Sequence, residues 1–255
     1  MITKNELKYF ASLNQKKFRR LEKKFLVEGE KIVIEGIHAK YSCEIIFITN
    51  EFYLYNPELI KLAKQRHIRL EIIKNQDLEK ITDTKSPQGV AAVFEIKENK
   101  FELKQLSNDN LIVYLDNISD PGNVGTILRT CDWFGVKNVL ISSNSAEYLN
   151  PKVVRSSMGS IFHLNIFENG EKYLMDCKNN GFKVICSDLN GQSIFNYKQA
   201  GKAVLVLSSE SAGPSHDVLN IADERITIPG KGKAESLNVA SAAAIIIAEY
   251  TYTKQ

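Results

Sequence analysis

The stretch DPGNVGTILRTCDWFG, Asp120 to Gly135, decides the fold. It follows the apolar run LIVYLD, Leu111 to Asp116, and reads as strand, glycine-containing turn and helix. Many phosphate-binding loops begin this way. Here, however, no Lys-Ser or Lys-Thr follows the glycines, and the G-x-G-x-x-G fingerprint of dinucleotide enzymes is missing, which disfavours a nicotinamide-dependent dehydrogenase. Instead, Arg129 stands one and a half turns into the helix. Val124, Ile127, Leu128 and Cys131 recur at i, i+3, i+4 and i+7, so they share one face and Arg129 points away from it. Arg129 is free to face a loop, a partner or a ligand; a plain surface salt bridge is the competing reading.

Outward from that stretch, KNVLIS, FKVICSD, AVLVLSS and RITIP are short apolar runs without polar alternation, the pattern of strands buried on both faces. Helical patterns separate most of them. This alternation predicts an α/β fold with a mostly parallel sheet, whose ligands bind at the carboxyl edge. Two more segments fall at that edge. VLVLSSESAGPS, Val204 to Ser215, places Ser208, Glu210 and Gly213 after a strand. ITIPGKGKAESLNVASAAAIIIAEY, Ile226 to Tyr250, ends a strand at Pro229 and passes through Gly230 and Gly232 into a final helix, with Ser236 a candidate N-cap. That helix is apolar on nearly every face and is predicted to be buried, in a subunit interface as well as the core.

The first hundred residues have a different texture. CEIIFIT and IRLEIIK read as strands with the helix NPELIKLAKQRH between them, and SPQGVAAVFEI as a turn and a further strand. The polar stretch KENKFELKQLSNDN supplies a linker, so the expected division is 1–97, a linker at 98–108, and 109–255. Net charge is only +3 over 255 residues, but Lys16 to Lys24, KKFRRLEKK, gathers Lys16, Lys17, Arg19, Arg20, Lys23 and Lys24 against one acid. Such a segment is either an RNA-binding footprint or a solvated helix face. The four cysteines are scattered without a C-x-x-C pair, so no metal or disulfide framework is expected and reduced thiols in the cytoplasm are the simplest reading. No secretory signal and no membrane-length apolar stretch are seen.

Taken together, N-x-G-T-I-x-R-T-x-x-x-F-G, L-V-L-x-x-E-x-x-G and I-P-x-x-G-x-x-E-S-L-N-V resemble the three signature motifs of the SpoU (TrmH-type) RNA ribose 2′-O-methyltransferases of the SPOUT superfamily. SLNQKKFRRLEKKFLVEGEKIVIEGI and SPQGVAAVFE resemble the α/β RNA-binding domain, of ribosomal-protein type, that precedes many of these enzymes. The resemblance implies a SPOUT catalytic domain with a deep trefoil knot, an exception to the general rule against knots. It also implies S-adenosylmethionine as cofactor with no metal, a homodimer, and ribosomal RNA as substrate, with transfer RNA as the alternative. By the same resemblance Asn123, Arg129, Glu210, Ser236 and Asn238 take the catalytic positions, with Arg129 foremost. Ser208, Gly213, Ile228, Pro229 and Leu237 match cofactor-holding positions. The family usually has glycine where Ser208 stands, so a side chain here occupies space beside the cofactor. A non-catalytic RNA-binding or assembly protein is the reading of another class; the retained Arg129, Glu210 and Asn238 argue against it.

Overall fold

The computed structural model describes residues 2–82, 84–103, 110–198, 201–209 and 212–252. In chain order the first part holds α1 (Lys4–Ser12), α2 (Lys16–Glu22), β1 (Lys24–Glu28), α3 (Glu30–His38), β2 (Cys43–Ile48), α4 (Asn50–Tyr55), α5 (Pro57–Gln65), β3 (Arg69–Ile72), α6 (Asn75–Thr82) and β4 (Val90–Glu95). The second part holds β5 (Leu111–Asp116), α7 (Pro121–Trp133), β6 (Asn138–Ile141), α8 (Pro151–Ser157), β7 (Asn165–Glu168), α9 (Glu171–Asn179), β8 (Lys183–Ser193), β9 (Ala203–Ser208), α10 (His216–Ile221), β10 (Glu224–Thr227) and α11 (Val239–Tyr252). Two compact units result: Met1–Glu98 with Leu149–Phe162, and Asn99–Tyr148 with His163–Gln255.

The first unit is built on a four-stranded sheet in the order β1-β4-β2-β3. β4 runs antiparallel to β1 and β2, and β3 runs parallel to β2. Phe10 of α1 and Leu78 and Ile81 of α6 close over Leu26, Ile45, Phe47 and Val93. The sequence reading placed Leu149–Phe162 within 109–255, whereas these residues pack with the first unit. The reason is aromatic: Phe162 sits among Phe25, Phe94 and Tyr41, with ring centroids at 6.1, 5.3 and 4.8 Å.

The second unit carries a six-stranded sheet in the order β10-β8-β9-β5-β6-β7, and every neighbouring pair in it is parallel. Its central strands are buried along nearly their whole length, as uninterrupted apolar runs demand. Ile112, Tyr114, Val204 and Val206 enter one core with Leu174 of α9 and Val218 of α10. On α7, Val124, Ile127, Leu128 and Cys131 are buried and Arg129 is exposed.

The sequence reading has α11 buried in a subunit interface as well as in the core, and the single chain shows the core part. Only one face is buried, through Val239, Ala240, Ala243, Ile246, Ile247 and Tyr250, and it packs on α7 and β9. Ile245 and Tyr252 lie open, as does Trp133 of α7, which is 81% exposed. Among the described residues, no helix is long and apolar enough to cross a membrane.

Candidate active site

The carboxyl edge of the parallel sheet is where β8 and β10 stop following one register. Arg225 lies opposite Cys186, but the next residue, Ile226, lies opposite Gln192. Residues 187–191 therefore bulge out of the ladder, which re-aims side chains at a sheet edge. Gly191 makes the close return possible: a Cβ there would stand 2.5 Å from the backbone N and C of Ile226. The bulge is pinned by Arg225, whose Nη1 donates to Asp188 Oδ2 at 3.2 Å.

A cavity of about 590 Å³ opens beside this bulge. Residues 187–189 form one wall, residues 207–209 and 212–214 after β9 a second, and residues 227–232 and 234–237 after β10 a third. The wall after β9 is held by Asp116, a residue that the sequence reading missed. Its side chain is buried at the end of β5, and Oδ2 accepts from the Ser215 backbone N–H at 2.7 Å. Gly213 turns in that wall with φ +65°, a conformation that glycine adopts without steric cost.

Six of the sequence-derived residues line this one cavity: Ser208, Gly213, Ile228, Pro229, Ser236 and Leu237. Asn238 begins α11, which corrects the expected Ser236 cap. Its Oδ1 accepts from Ala240 N–H at 3.0 Å and its carbonyl from Ala242 N–H at 2.9 Å. Its Nδ2 donates to Asn123 Oδ1 at 3.1 Å. Asn123 stands in the first turn of α7, a helix capped by Asp120, whose Oδ1 accepts from Asn123 N–H at 2.9 Å. The first and third motifs are thus joined by one amide pair. Arg129 lies farther along α7, is exposed, and has no ion pair or hydrogen bond among the described residues. It does not line the cavity. Glu210 lies outside the described residues.

The cavity offers both polar and apolar surface. Ser208 is 8% exposed, and its Oγ has no hydrogen-bond partner among the described residues. Burying a hydroxyl without a partner costs about 1–3 kcal/mol. Leu189 and Leu237 also border the cavity while 70% and 45% exposed, leaving apolar surface for a ring system. No cluster of three His, Cys, Asp or Glu side chains suited to a metal occurs among the described residues. Burial pushes the Cys177 and Cys186 thiols up to about 12, so they stay protonated and unreactive at neutral pH.

The basic segment of the first unit loses one of its cations to the interior, and Lys16, Lys17, Arg20 and Lys23 are exposed. Arg19 is 2% exposed, and its Nη1 donates to the carbonyls of Leu13 and Asn14 at 2.9 and 2.8 Å. It fastens the α1–α2 turn and is withdrawn from the RNA-contact set. Lys23 pairs with Glu98 at 2.7 Å, and Lys24, in β1, with Glu44 at 2.8 Å.

Comparison with known proteins agrees with this geometry. Residues 110–248 match the model of the SpoU rRNA Methylase family, and residues 4–92 match an MRM3-like substrate binding domain. The chain is 32% identical over 244 residues to the 23S rRNA (guanosine(2553)-2′-O)-methyltransferase RlmP of Bacillus subtilis, covering 95% of this chain and 94% of that protein. A solved structure of a TrmH-family protein from Porphyromonas gingivalis superposes over 100% of both chains with a TM-score of 0.83 and 33% identity. An AdoMet-bound rRNA methyltransferase from Sinorhizobium meliloti superposes with a TM-score of 0.85 and 26% identity, covering 98% of this chain and 95% of that one. A cavity built from the second and third motifs, tied through Asn238 to the first, in a chain that matches the family model over more than half its length, leaves one conclusion: the protein belongs to the SpoU rRNA methylase family.

Proposed function

We propose that the protein transfers a methyl group from S-adenosylmethionine to a ribose 2′-hydroxyl in structured RNA, with ribosomal RNA as the substrate class. The observation that carries this reading is the cavity at the carboxyl edge, lined by residues of the second and third motifs, with Asn238 linking its rim to α7. The RlmP relative and the two-unit organisation support ribosomal over transfer RNA.

When bound, S-adenosylmethionine supplies a methyl group already activated by its positive sulfur. Ser208, Gly213, Ile228, Pro229 and Leu237 would hold it, with Leu189 lining the same cavity. Arg129 acts on the RNA. A guanidinium stays protonated in proteins, so it serves poorly as a base. It stabilises the alkoxide developing at the 2′-oxygen and grips the neighbouring phosphate, whose oxygen, or a water, takes the 2′-hydroxyl proton. Asn123, Asn238 and Ser236 position the ribose, and Glu210 takes the acid position of the second motif. Alignment of the attacking oxygen with the methyl group supplies much of the remaining rate.

A trefoil knot belongs to this reading, supported by the three chain segments that wrap one cavity. So does a homodimer, supported by the open apolar side chains of Trp133, Ile245 and Tyr252 on α7 and α11. A cytoplasmic location belongs to the same reading, supported by the bacterial RlmP relative. The test is incubation with tritium-labelled S-adenosylmethionine and separated ribosomal and transfer RNA from a strain lacking the gene. Alkali-resistant label at one ribosomal position is the expected result. Label in transfer RNA alone overturns the substrate class, and label in neither RNA, with no cofactor bound, overturns the activity.

A further inference from the structure

Of the six cations of the α2 segment Arg19 is buried and Lys23 and Lys24 are paired with glutamates, while a second surface of the first unit carries cations that have no partner among the described residues. A shallow groove between α4 and α5 has the required chemistry. It has a volume of about 490 Å³ and is lined by Tyr53, Pro57, Ile60, Lys61, Lys64 and Gln65. No acid lines it. Lys61 and Lys64 lie on one face of α5, are exposed, and have no ion pair or hydrogen bond among the described residues. This contrasts with Lys23 and Lys24, each paired with a glutamate. Tyr53 is 38% exposed at the groove, and Leu54 and Tyr55 beside it are 72% and 76% exposed.

We propose that this α4–α5 groove binds a single-stranded segment of the RNA substrate, with Tyr53 stacking on a base and Lys61 and Lys64 contacting successive phosphates. The inference rests on the RNA-methylating reading above and locates where the first unit grips its substrate. The physical basis is general: bases stack on aromatic rings whatever their sequence, while lysines neutralise phosphates and release counterions. Tyrosine and unpaired lysine side by side, with no carboxylate between them, satisfy both needs. A protein partner would also find apolar surface here, but two unneutralised lysines favour a polyanion.

The test is fluorescence anisotropy of the full-length protein with a labelled single-stranded RNA oligonucleotide of mixed sequence, over a range of salt. Lys61→Glu with Lys64→Glu should weaken binding at least tenfold at low salt and lower the salt slope by about 1.4, two phosphates' worth. Tyr53→Ala should weaken binding roughly 5- to 100-fold with the slope unchanged, and Tyr53→Phe should restore it. If Tyr53→Ala fails to fold, the lysine pair, on the surface of α5, decides the matter alone. Affinity within twofold of the parent with an unchanged slope in the lysine variant overturns the proposal. So does a loss reproduced in full by Lys16→Glu with Lys17→Glu, which would return the contact to α2. S-adenosylhomocysteine binding and methyl transfer are measured on the same preparations. A parent protein that neither binds S-adenosylhomocysteine nor methylates RNA contradicts the proposed activity, whereas a methylating parent with unaffected groove variants contradicts the groove alone.

Discussion

Arg19 on α2 and Arg129 on α7 make the most instructive pair in the molecule. In the sequence Arg19 belongs to a basic cluster that reads as a nucleic-acid contact, and Arg129 is one cation on an ordinary amphipathic helix. The fold reverses that ranking. Arg19 is buried with its guanidinium on two carbonyls, while Arg129 is exposed and has no partner among the described residues. Local charge density therefore says little about which cation meets a ligand. What decides is whether the backbone nearby leaves carbonyls that need a donor, as the turn after α1 does.

That contrast can be broken by substitution. Arg19→Ala should lower stability by about 3 kcal/mol, because two carbonyls lose a charged donor, with a fall in Tm of roughly 6–12 °C. Methyl transfer at a temperature where the variant stays folded should remain near the parent rate. A thermal melt within a degree of the parent would mean that Arg19 is not the structural member of the pair.

Asn238→Ala should fall between the two arginines, since Asn238 both caps α11 and holds Asn123. Losing the α11 cap costs about 1 kcal/mol, or roughly 2–4 °C in Tm, and losing the link to Asn123 should also slow transfer. A change in only one of these readouts would separate the two roles.

Ser208→Ala should have the opposite sign on stability. Removing an unpaired buried hydroxyl should raise the Tm of the unliganded protein by roughly 2–4 °C. The same variant should bind S-adenosylhomocysteine about fivefold more weakly, in keeping with the loss of one hydrogen bond. A lower melting temperature without ligand would show that the hydroxyl already has a partner.

The smallest effect concerns pH. Burial pushes the Asp223 carboxyl up, but the Lys178 ammonium and the Val184 N–H, both at 2.8 Å, outweigh it and hold the group below its ordinary value. A depressed carboxylate stabilises the fold above its unfolded pKa and loses that contribution as pH falls through the folded value. Asp223→Asn should therefore cost a degree or two near neutrality and nothing well below about pH 3.9. A difference that persists at pH 2 would contradict the assignment.

Much of the second unit was legible because β5, β6 and β9 are apolar runs in which local propensity and tertiary burial agree, whereas β8 is buried only over Val184–Cys186 and β10 only at Ile226, short of the burial on both faces that their sequences suggest. β7 was not legible, since only Ile166 and Phe167 of its four residues are buried at the sheet edge. α1 and α6 were missed because polar residues dominate both and their few core contacts, Phe10, Leu78 and Ile81, depend on a distant sheet. The destination of Leu149–Phe162 could not be read locally either, because it is set by aromatic rings more than fifty residues away. At the site, the motifs named the cavity residues, but the β8 bulge, Gly191 and the Asp116 anchor became visible only once strand register was known. The α11 start was misplaced by two residues because Ser236 and Asn238 are both good caps, and only Asn238 reaches the Ala240 amide.

The central claim is that the cavity binds the methyl donor while Arg129 acts on the RNA. The most direct test is a paired measurement on Arg129→Ala: S-adenosylmethionine binding by calorimetry, and single-turnover methyl transfer to ribosomal RNA with the cofactor preloaded. The account predicts cofactor affinity within twofold of the parent and transfer slowed by about 100- to 1,000-fold. Transfer at the parent rate, or cofactor binding and transfer lost together, would contradict it.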